Sequence, residues 1–129
     1  MTRTPPRPTE AELEILRVLW ERGPSTVRQV HEALATLRET GYTTTLKLMQ
    51  IMADKGWATR DESSRSHVYA AAVEREAVQA RLVDGLVAQA FSGSAAQLVV
   101  QALSTQPTSA EELAEIRVML DRLEREAKQ

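Results

Sequence analysis

Residues 42–56, YTTTLKLMQIMADKG, constrain the fold most, because they predict a helix with two different faces. Thr43 is the expected N-cap, Lys55 lies in the last turn, and Gly56 supplies a left-handed stop. At about 100° per residue, one side forms a stripe suited to packing. Its members are Thr45, Leu48, Met49 and Met52. The fold must bury this side and leave the other side free.

The free side carries hydroxyl, amide and amine groups together with the methyl groups of Ile51. Its members are Thr43, Thr44, Lys47, Gln50, Ile51 and Asp54. Such groups suit base edges, phosphates and thymine methyl groups in a DNA major groove. An ordinary solvated helix face has a similar composition, so the flanking segments must decide between the two interpretations.

Two helices are predicted before this one. Thr9 and Glu12 have capping-box spacing at the start of the first helix, and Gly23-Pro24 ends it. Ser25 is the expected N-cap of the second helix. The two apolar stripes are Leu13, Leu16, Leu19 and Trp20, and then Val27, Val30, Leu34 and Leu37. Three short helices, the third with an exposed polar face, form a helix-turn-helix pattern.

After Gly56 the pattern changes to the alternation typical of strands. Residues 57–60 and 67–70 alternate, and residues 61–64 have turn chemistry, which together predict a β-hairpin and hence a winged helix. The hairpin groups expected to face DNA phosphates are Arg60, Arg65, Ser66 and His67. The alternatives are that Arg60 pairs with Asp61 or Glu62, and that His67 lies half-buried beside Tyr69.

Residues 73–129 are predicted to be helical and to need a partner. A long helix should run to about Phe91 and stop at residues 92–94, followed by a short, nearly uncharged helix at 95–103 that should be buried. The last helix has a heptad pattern that is only about two heptads long, which is marginal alone. We expect a symmetric homodimer through this region, although the helices could instead fold back on their own domain. The expected dimer residues are Leu82, Leu86, Leu113, Ile116, Leu120 and Leu123.

Composition excludes several classes of protein. The chain has 129 residues, 43% of them hydrophobic, with no run of about 18 apolar residues and no apolar stretch in the opening MTRTPPRPTE. We therefore expect a cytoplasmic protein without membrane insertion. With no cysteine there are no disulfides and no thiolate metal sites. Residues 1–72 carry ten Lys/Arg against nine Asp/Glu, and residues 73–129 carry net charge −3, so a local basic surface for DNA is admissible.

Catalysis is not expected. His31 and His67 are the only histidines and lie on different elements, and we find no phosphate loop, metal-ligand cluster or nucleophile signature. Glu111, Glu112 and Glu115 are interpreted as a helix cap and a solvated face. No cofactor and no metal are expected.

The order and spacing of several segments resemble the penicillinase-repressor family (BlaI/MecI/CopY). These are TEAELEILRVLW, STVRQVHEAL, YTTTLKLMQIMADKGWATR and RSHVYAA, within a similarity from about residue 8 to residue 123. The resemblance implies a homodimeric winged-helix repressor of palindromic operators, with a membrane-bound sensor protease as a further partner. It also implies that Thr44 occupies the position of the family's usual Thr, beside Thr43 and Lys47, in a helix that enters the major groove.

Two departures from the family matter. Copper-responsive members carry paired cysteines near the C-terminus, and this chain has none. Penicillinase repressors of the family are cut at an Asn–Phe bond in the short helix before the last, and alignment places Gln101-Ala102 there. The helix is predicted but its cleavage residues differ, so a proteolytic switch at this bond stays open.

The sequence therefore predicts a mainly α fold with a small β-hairpin. We divide it into a disordered arm (1–8), a winged-helix DNA-binding domain (9–72) and a helical dimerisation region (73–129). The predicted function is sequence-specific repression of transcription. The alternative is a winged-helix adaptor for protein partners that does not bind DNA.

Overall fold

The computed structural model describes residues 7–129, which form six helices and three short strands. The expected arm at residues 1–8 falls largely on residues 1–6, outside the described range. The elements in chain order are α1 (Glu10–Arg22), β1 (Ser25–Thr26), α2 (Val27–Ala35), α3 (Tyr42–Lys55), β2 (Ala58–Asp61), β3 (Val68–Ala71), α4 (Arg75–Ala90), α5 (Ala95–Thr105) and α6 (Ala110–Ala127). The prediction of a mainly helical fold with a small β-hairpin is confirmed.

Capping boxes begin both of the first two helices. At α1, Thr9 accepts from the Glu12 N–H and the Glu12 carboxylate accepts from the Thr9 N–H, as predicted. At α2 the N-cap is Thr26 rather than Ser25, so that prediction is wrong by one residue. Ser25 belongs to β1, where it lies opposite Tyr69, and its hydroxyl donates to the Gly23 carbonyl at 2.8 Å.

Helix α2 ends earlier than its apolar repeat suggests. Its last residue is Ala35, and Leu37 beyond it is 66% exposed, so the prediction that the buried stripe continues through Leu37 is wrong. The Leu37 and Arg38 N–H groups both donate to the Leu34 carbonyl, which closes the helix as a turn. Arg38 then forms an ion pair with Glu14 of α1 at 2.8 Å.

Helix α3 begins at Tyr42, and its N-cap is Gly41, which provides no side-chain cap. The predicted Thr43 N-cap is wrong, because Thr43 already lies inside the first turn. Gly56 ends the helix with a φ of 91°, as predicted. Within the packing stripe, Thr45, Met49 and Met52 are buried and Leu48 is half-buried.

The sheet has the order β1-β3-β2 and is antiparallel throughout. Strands β2 and β3 form the expected hairpin, each offset by one residue from its prediction, and Arg60 lies opposite Tyr69. The two-residue strand β1 was not predicted. Its pairing with β3 joins the start of α2 to the hairpin and so fixes the position of the wing.

The buried core lies in the first of two compact units, which ends at Asp84. Its largest fully buried side chains are Trp57 and Tyr69 of the hairpin region and Ile15 and Leu16 of α1. Met49 and Met52 join the same cluster, so the core fixes α3 against α1 and the sheet.

The second unit, from Gly85 onward, consists of the end of α4 together with α5 and α6. Ser109 and Glu112 form the predicted capping box of α6. No residue of α5 or α6 is buried within the single chain, so the expected burial of α5 is not found there. In the described part of the chain, no single helix has the length and apolar composition to cross a membrane, although the bent pair α4 and α5 together meets those criteria.

Candidate nucleic-acid interface

The predicted reading side of α3 is accessible in the structure. Thr43, Thr44, Lys47 and Gln50 are exposed, and Ile51 is half-buried. The opposite side of the same helix packs into the core through Met49 and Met52. Because the buried side is fixed by the core, the exposed side is presented on a rigid support.

The first turn of α3 is suited to an anion. Helices α1, α2, α5 and α6 each have a Thr or Ser N-cap whose side chain accepts from a first-turn N–H, whereas Gly41 offers no such group. The first turn of α3 also contains no acidic residue. Uncapped N–H groups and the positive end of the helix dipole favour a negatively charged ligand.

Two of the predicted wing residues share one carboxylate. The Arg60 Nε lies 3.3 Å from a Glu62 oxygen, and the His67 Nδ1 lies 3.9 Å from the same oxygen. A hydrogen bond that Arg60 donates to the Tyr69 oxygen, and then the charge of Glu62, raise the pKa of Arg60 above its usual value. The alternative interpretation of Arg60, pairing with Glu62, is therefore found in the free protein. This pair is solvent-exposed and weak, so a phosphate can compete for Arg60.

A groove of about 350 Å³ lies between the start of α2, the side of α3 and the wing. It brings together four of the predicted DNA-binding residues, Gln50, Arg65, Ser66 and His67. The other five, Thr43, Thr44, Lys47, Ile51 and Arg60, do not line it. The predicted set thus divides into an outward face on α3, a groove beside it, and Arg60 on β2.

Among the groove residues that the sequence analysis did not single out are Arg28 and Tyr42. The Arg28 guanidinium carbon lies 5.9 Å from the centre of the Tyr42 ring, and the His31 and Tyr42 rings form a T-shaped pair with their centres 5.8 Å apart. The three-residue spacing of Arg28 and His31 places them near one another on α2, but nothing in the sequence indicates that they face Tyr42.

The residues predicted for dimerisation differ in exposure. Leu86, Leu120 and Leu123 are exposed, whereas Leu113 and Ile116 are half-buried. Leu82 packs in part against the core of its own chain. Residues of α5, with Phe91, line a cavity of about 390 Å³ that includes Val100 and Gln101.

The candidate cleavage bond, Gln101-Ala102, lies within α5 and both residues are exposed. The Gln101 carbonyl accepts from the Thr105 hydroxyl, and the Ala102 carbonyl accepts from the Gln106 N–H. Among residues 7–129, no group of three or more His, Asp or Glu side chains is placed to hold a metal ion.

Comparison with known proteins places the chain in a family. The sequence profile described as penicillinase repressor matches residues 8–122. The transcriptional regulator BlaI of Mycobacterium tuberculosis, in strains CDC 1551 / Oshkosh and H37Rv, is 39% identical over 87 residues. That alignment covers 66% of this chain and 63% of BlaI, so the chain spans less than two thirds of the relatives it matches.

Two solved structures share the fold. The DNA-binding domain of the repressor BlaI matches with a TM-score of 0.52 and 20% identity, over 59% of this chain and 93% of that domain. A MarR family protein from Bacillus stearothermophilus matches with a TM-score of 0.50 and 19% identity, over 95% of this chain and 76% of that protein. The fold is therefore a winged helix, and the extent of the profile match shows that the chain belongs to the penicillinase repressor family.

Proposed function

We propose that the protein is a cytoplasmic transcriptional repressor that binds operator DNA with α3 in the major groove. The observation that carries this proposal is the division of α3 into a core-packed side and an exposed polar side with an uncapped first turn. The family is one of transcriptional regulators rather than enzymes, which agrees with the proposal.

The exposed residues would contribute to DNA binding in two different ways. Lys47 and Arg65 would contact phosphates and supply affinity and salt dependence. Thr44, Gln50 and Ile51 would contact base edges and supply sequence preference, since amide and methyl groups match adenine and thymine in the major groove. Additional contacts with the DNA backbone, on either side of α3, would come from Thr43, Arg60 and His67.

A homodimer would bring two reading helices to one palindromic operator. Support comes from the apolar residues that a single chain leaves exposed, among them Leu86, Leu120 and Leu123. The heptad spacing of Leu113, Ile116, Leu120 and Leu123 suits pairing with a second copy of α6. Each protomer would then read one half-site, with the half-sites about one helical turn apart.

Relief of repression by proteolysis is the second part of the proposal. A membrane-bound sensor protease would cut α5 at Gln101-Ala102 and separate α6 from the DNA-binding unit. Affinity would fall because two joined half-site contacts gain from their effective concentration, and that gain is lost when the protomers separate. Mass spectrometry of the protein from derepressed cells should find fragments ending at Gln101. Intact protein under derepression would rule out this route.

The test of the main function is footprinting of the purified protein on DNA from upstream of its own gene. We expect one protected palindrome with two equivalent half-sites. A folded protein that protects no duplex would instead support an adaptor that uses the exposed apolar surface for another protein.

A further inference from the structure

The groove between α2, α3 and the wing has the chemistry of an anion site. Its α2 wall carries Arg28, its wing wall carries Arg65 and His67, and Gln50 lies on α3 between them. None of its lining residues is a carboxylate. The surface is therefore cationic from two sides, although the chain as a whole has a net charge of −2.

The two arginines of the groove differ from Arg38 and Arg60, which have carboxylate partners. Arg38 pairs with Glu14 and Arg60 pairs with Glu62, which occupies part of their donor capacity. Within the described part of the chain, Arg28 and Arg65 form no ion pair within 4.0 Å. Their guanidinium groups can therefore donate to an external acceptor.

Tyr42 holds Arg28 in place. The guanidinium carbon lies over the ring, 5.9 Å from its centre, and the His31 ring forms a T-shaped pair with Tyr42 at an interplanar angle of 81°, so the Tyr42 ring contacts two residues of α2. A cation held over an aromatic face loses less freedom when it binds a ligand. The contact with Tyr42 thus favours one position of the Arg28 guanidinium.

The chemistry of the acceptor follows from the donors and from their position. Planar guanidinium groups match the paired oxygens of a phosphodiester, and Ser66 adds a neutral donor. Gln50 also belongs to the exposed face of α3, so the groove is continuous with the surface proposed to enter the major groove. DNA phosphates border that groove of the duplex.

We propose that this groove is a phosphate clamp in which Arg28 and Arg65 hold the operator backbone from opposite sides, with Tyr42 as the residue that positions Arg28. The inference rests on the proposed DNA-binding function and adds a backbone contact from α2 to those of α3 and the wing. In this proposal, Arg28 contributes to the affinity for DNA and not to the preference for particular bases.

The experiment measures operator affinity against salt for the full-length protein and its variants. R28Q should lower affinity by about tenfold or more at every operator variant tested. It should also reduce the slope of log affinity against log salt by about 2 per dimer, since each lost phosphate contact removes about 0.9. R17Q is the matched control, because Arg17 is exposed on α1 and lines a separate groove.

A double-mutant cycle tests the role of Tyr42. Y42F keeps the ring and should bind like the wild type, whereas Y42L should weaken binding in the wild-type background and have little further effect in R28Q. An R28Q protein with the wild-type salt slope would overturn the clamp, as would a Y42L effect of equal size in both backgrounds. Either result would leave the proposed function intact if the wild type binds. Failure of the wild type to bind any duplex would overturn both.

Discussion

The Lys55 Nζ lies 2.9 Å from the Glu12 Oε2 and so joins the last turn of α3 to the first turn of α1. Glu12 is almost fully buried, and its other carboxylate oxygen accepts from the Thr9 N–H. Burial raises the pKa of Glu12, but the hydrogen bonds from Thr9 and Lys55 outweigh it and leave that pKa below its usual value. One carboxylate therefore caps α1 and fixes the angle of α3.

This pair predicts a pH dependence of stability. A lowered carboxyl pKa gives stabilisation that is present above the unfolded pKa, about 4.5, and is lost as the pH falls through the folded pKa. The Glu12→Gln variant should be less stable than the wild type at neutral pH by about 1–3 kcal/mol. Urea unfolding at several pH values should show the difference shrinking on acidification. A constant difference across that range would contradict the assignment.

Because α3 has no side-chain N-cap, a charged capping residue at position 41 should raise the stability of the protein and lower its affinity for the operator. Gly41 has an ordinary φ of −86°, and an added Cβ would make only normal contact with Thr44. Gly41→Asp should cap the helix and stabilise the protein by a few tenths of a kcal/mol, up to about 1 kcal/mol. It should also weaken operator binding, because the carboxylate occupies the amides and repels phosphate.

Gly41→Asn provides the control for that prediction, since it caps without charge. Thermal unfolding and operator titration of both variants separate the two effects. Equal operator affinity for Gly41→Asp and the wild type would show that no phosphate approaches this turn.

The two kinds of contact proposed for α3 predict different mutant behaviour. Lys47→Ala should weaken binding to all duplexes and reduce the salt slope, whereas Gln50→Ala should relax the preference at one or two operator positions. Competition with a set of single-substitution operators measures both. An unaltered preference in Gln50→Ala would remove Gln50 from the base-reading set.

If the dimer forms through the heptad residues of α6, the effect of a charged substitution on dimer formation should depend on the side of α6 that it occupies. It should depend less on how exposed the residue is in the single chain. Leu120→Glu should give monomers and weaken operator binding, because it places a charge among the heptad residues. Val118→Glu is the control: Val118 is 67% exposed against 49% for Leu120, but lies on the opposite side of α6. Sedimentation should find Val118→Glu dimeric. Dimers of Leu120→Glu would place the interface elsewhere.

Local sequence patterns predicted most of the fold. The Thr9 and Ser109 capping boxes, the Gly56 stop and the hairpin alternation all depend on residues within a few positions of one another, and each is present. The error at Ser25 arises from tertiary context. Ser25 lies opposite Tyr69 of β3, more than forty residues later in the chain, and its hydroxyl donates to the Gly23 carbonyl, so the next residue, Thr26, caps the helix.

The candidate site was predictable only in part for the same reason. Periodicity separates the exposed and buried sides of α3, because both follow from its own sequence. The approach of Arg28 to Tyr42 depends on the packing of α2 against α3, and the Lys55–Glu12 pair depends on the packing of α3 against α1. Neither pair has a signature that a single sequence reveals.

The most direct test of the central claim is the affinity of the wild-type protein for DNA from its own upstream region at two salt concentrations. We predict tight binding to one palindrome, with an affinity that falls steeply as salt is raised from about 50 to 200 mM. Absence of duplex binding by folded protein, or binding that is independent of salt, would contradict the account.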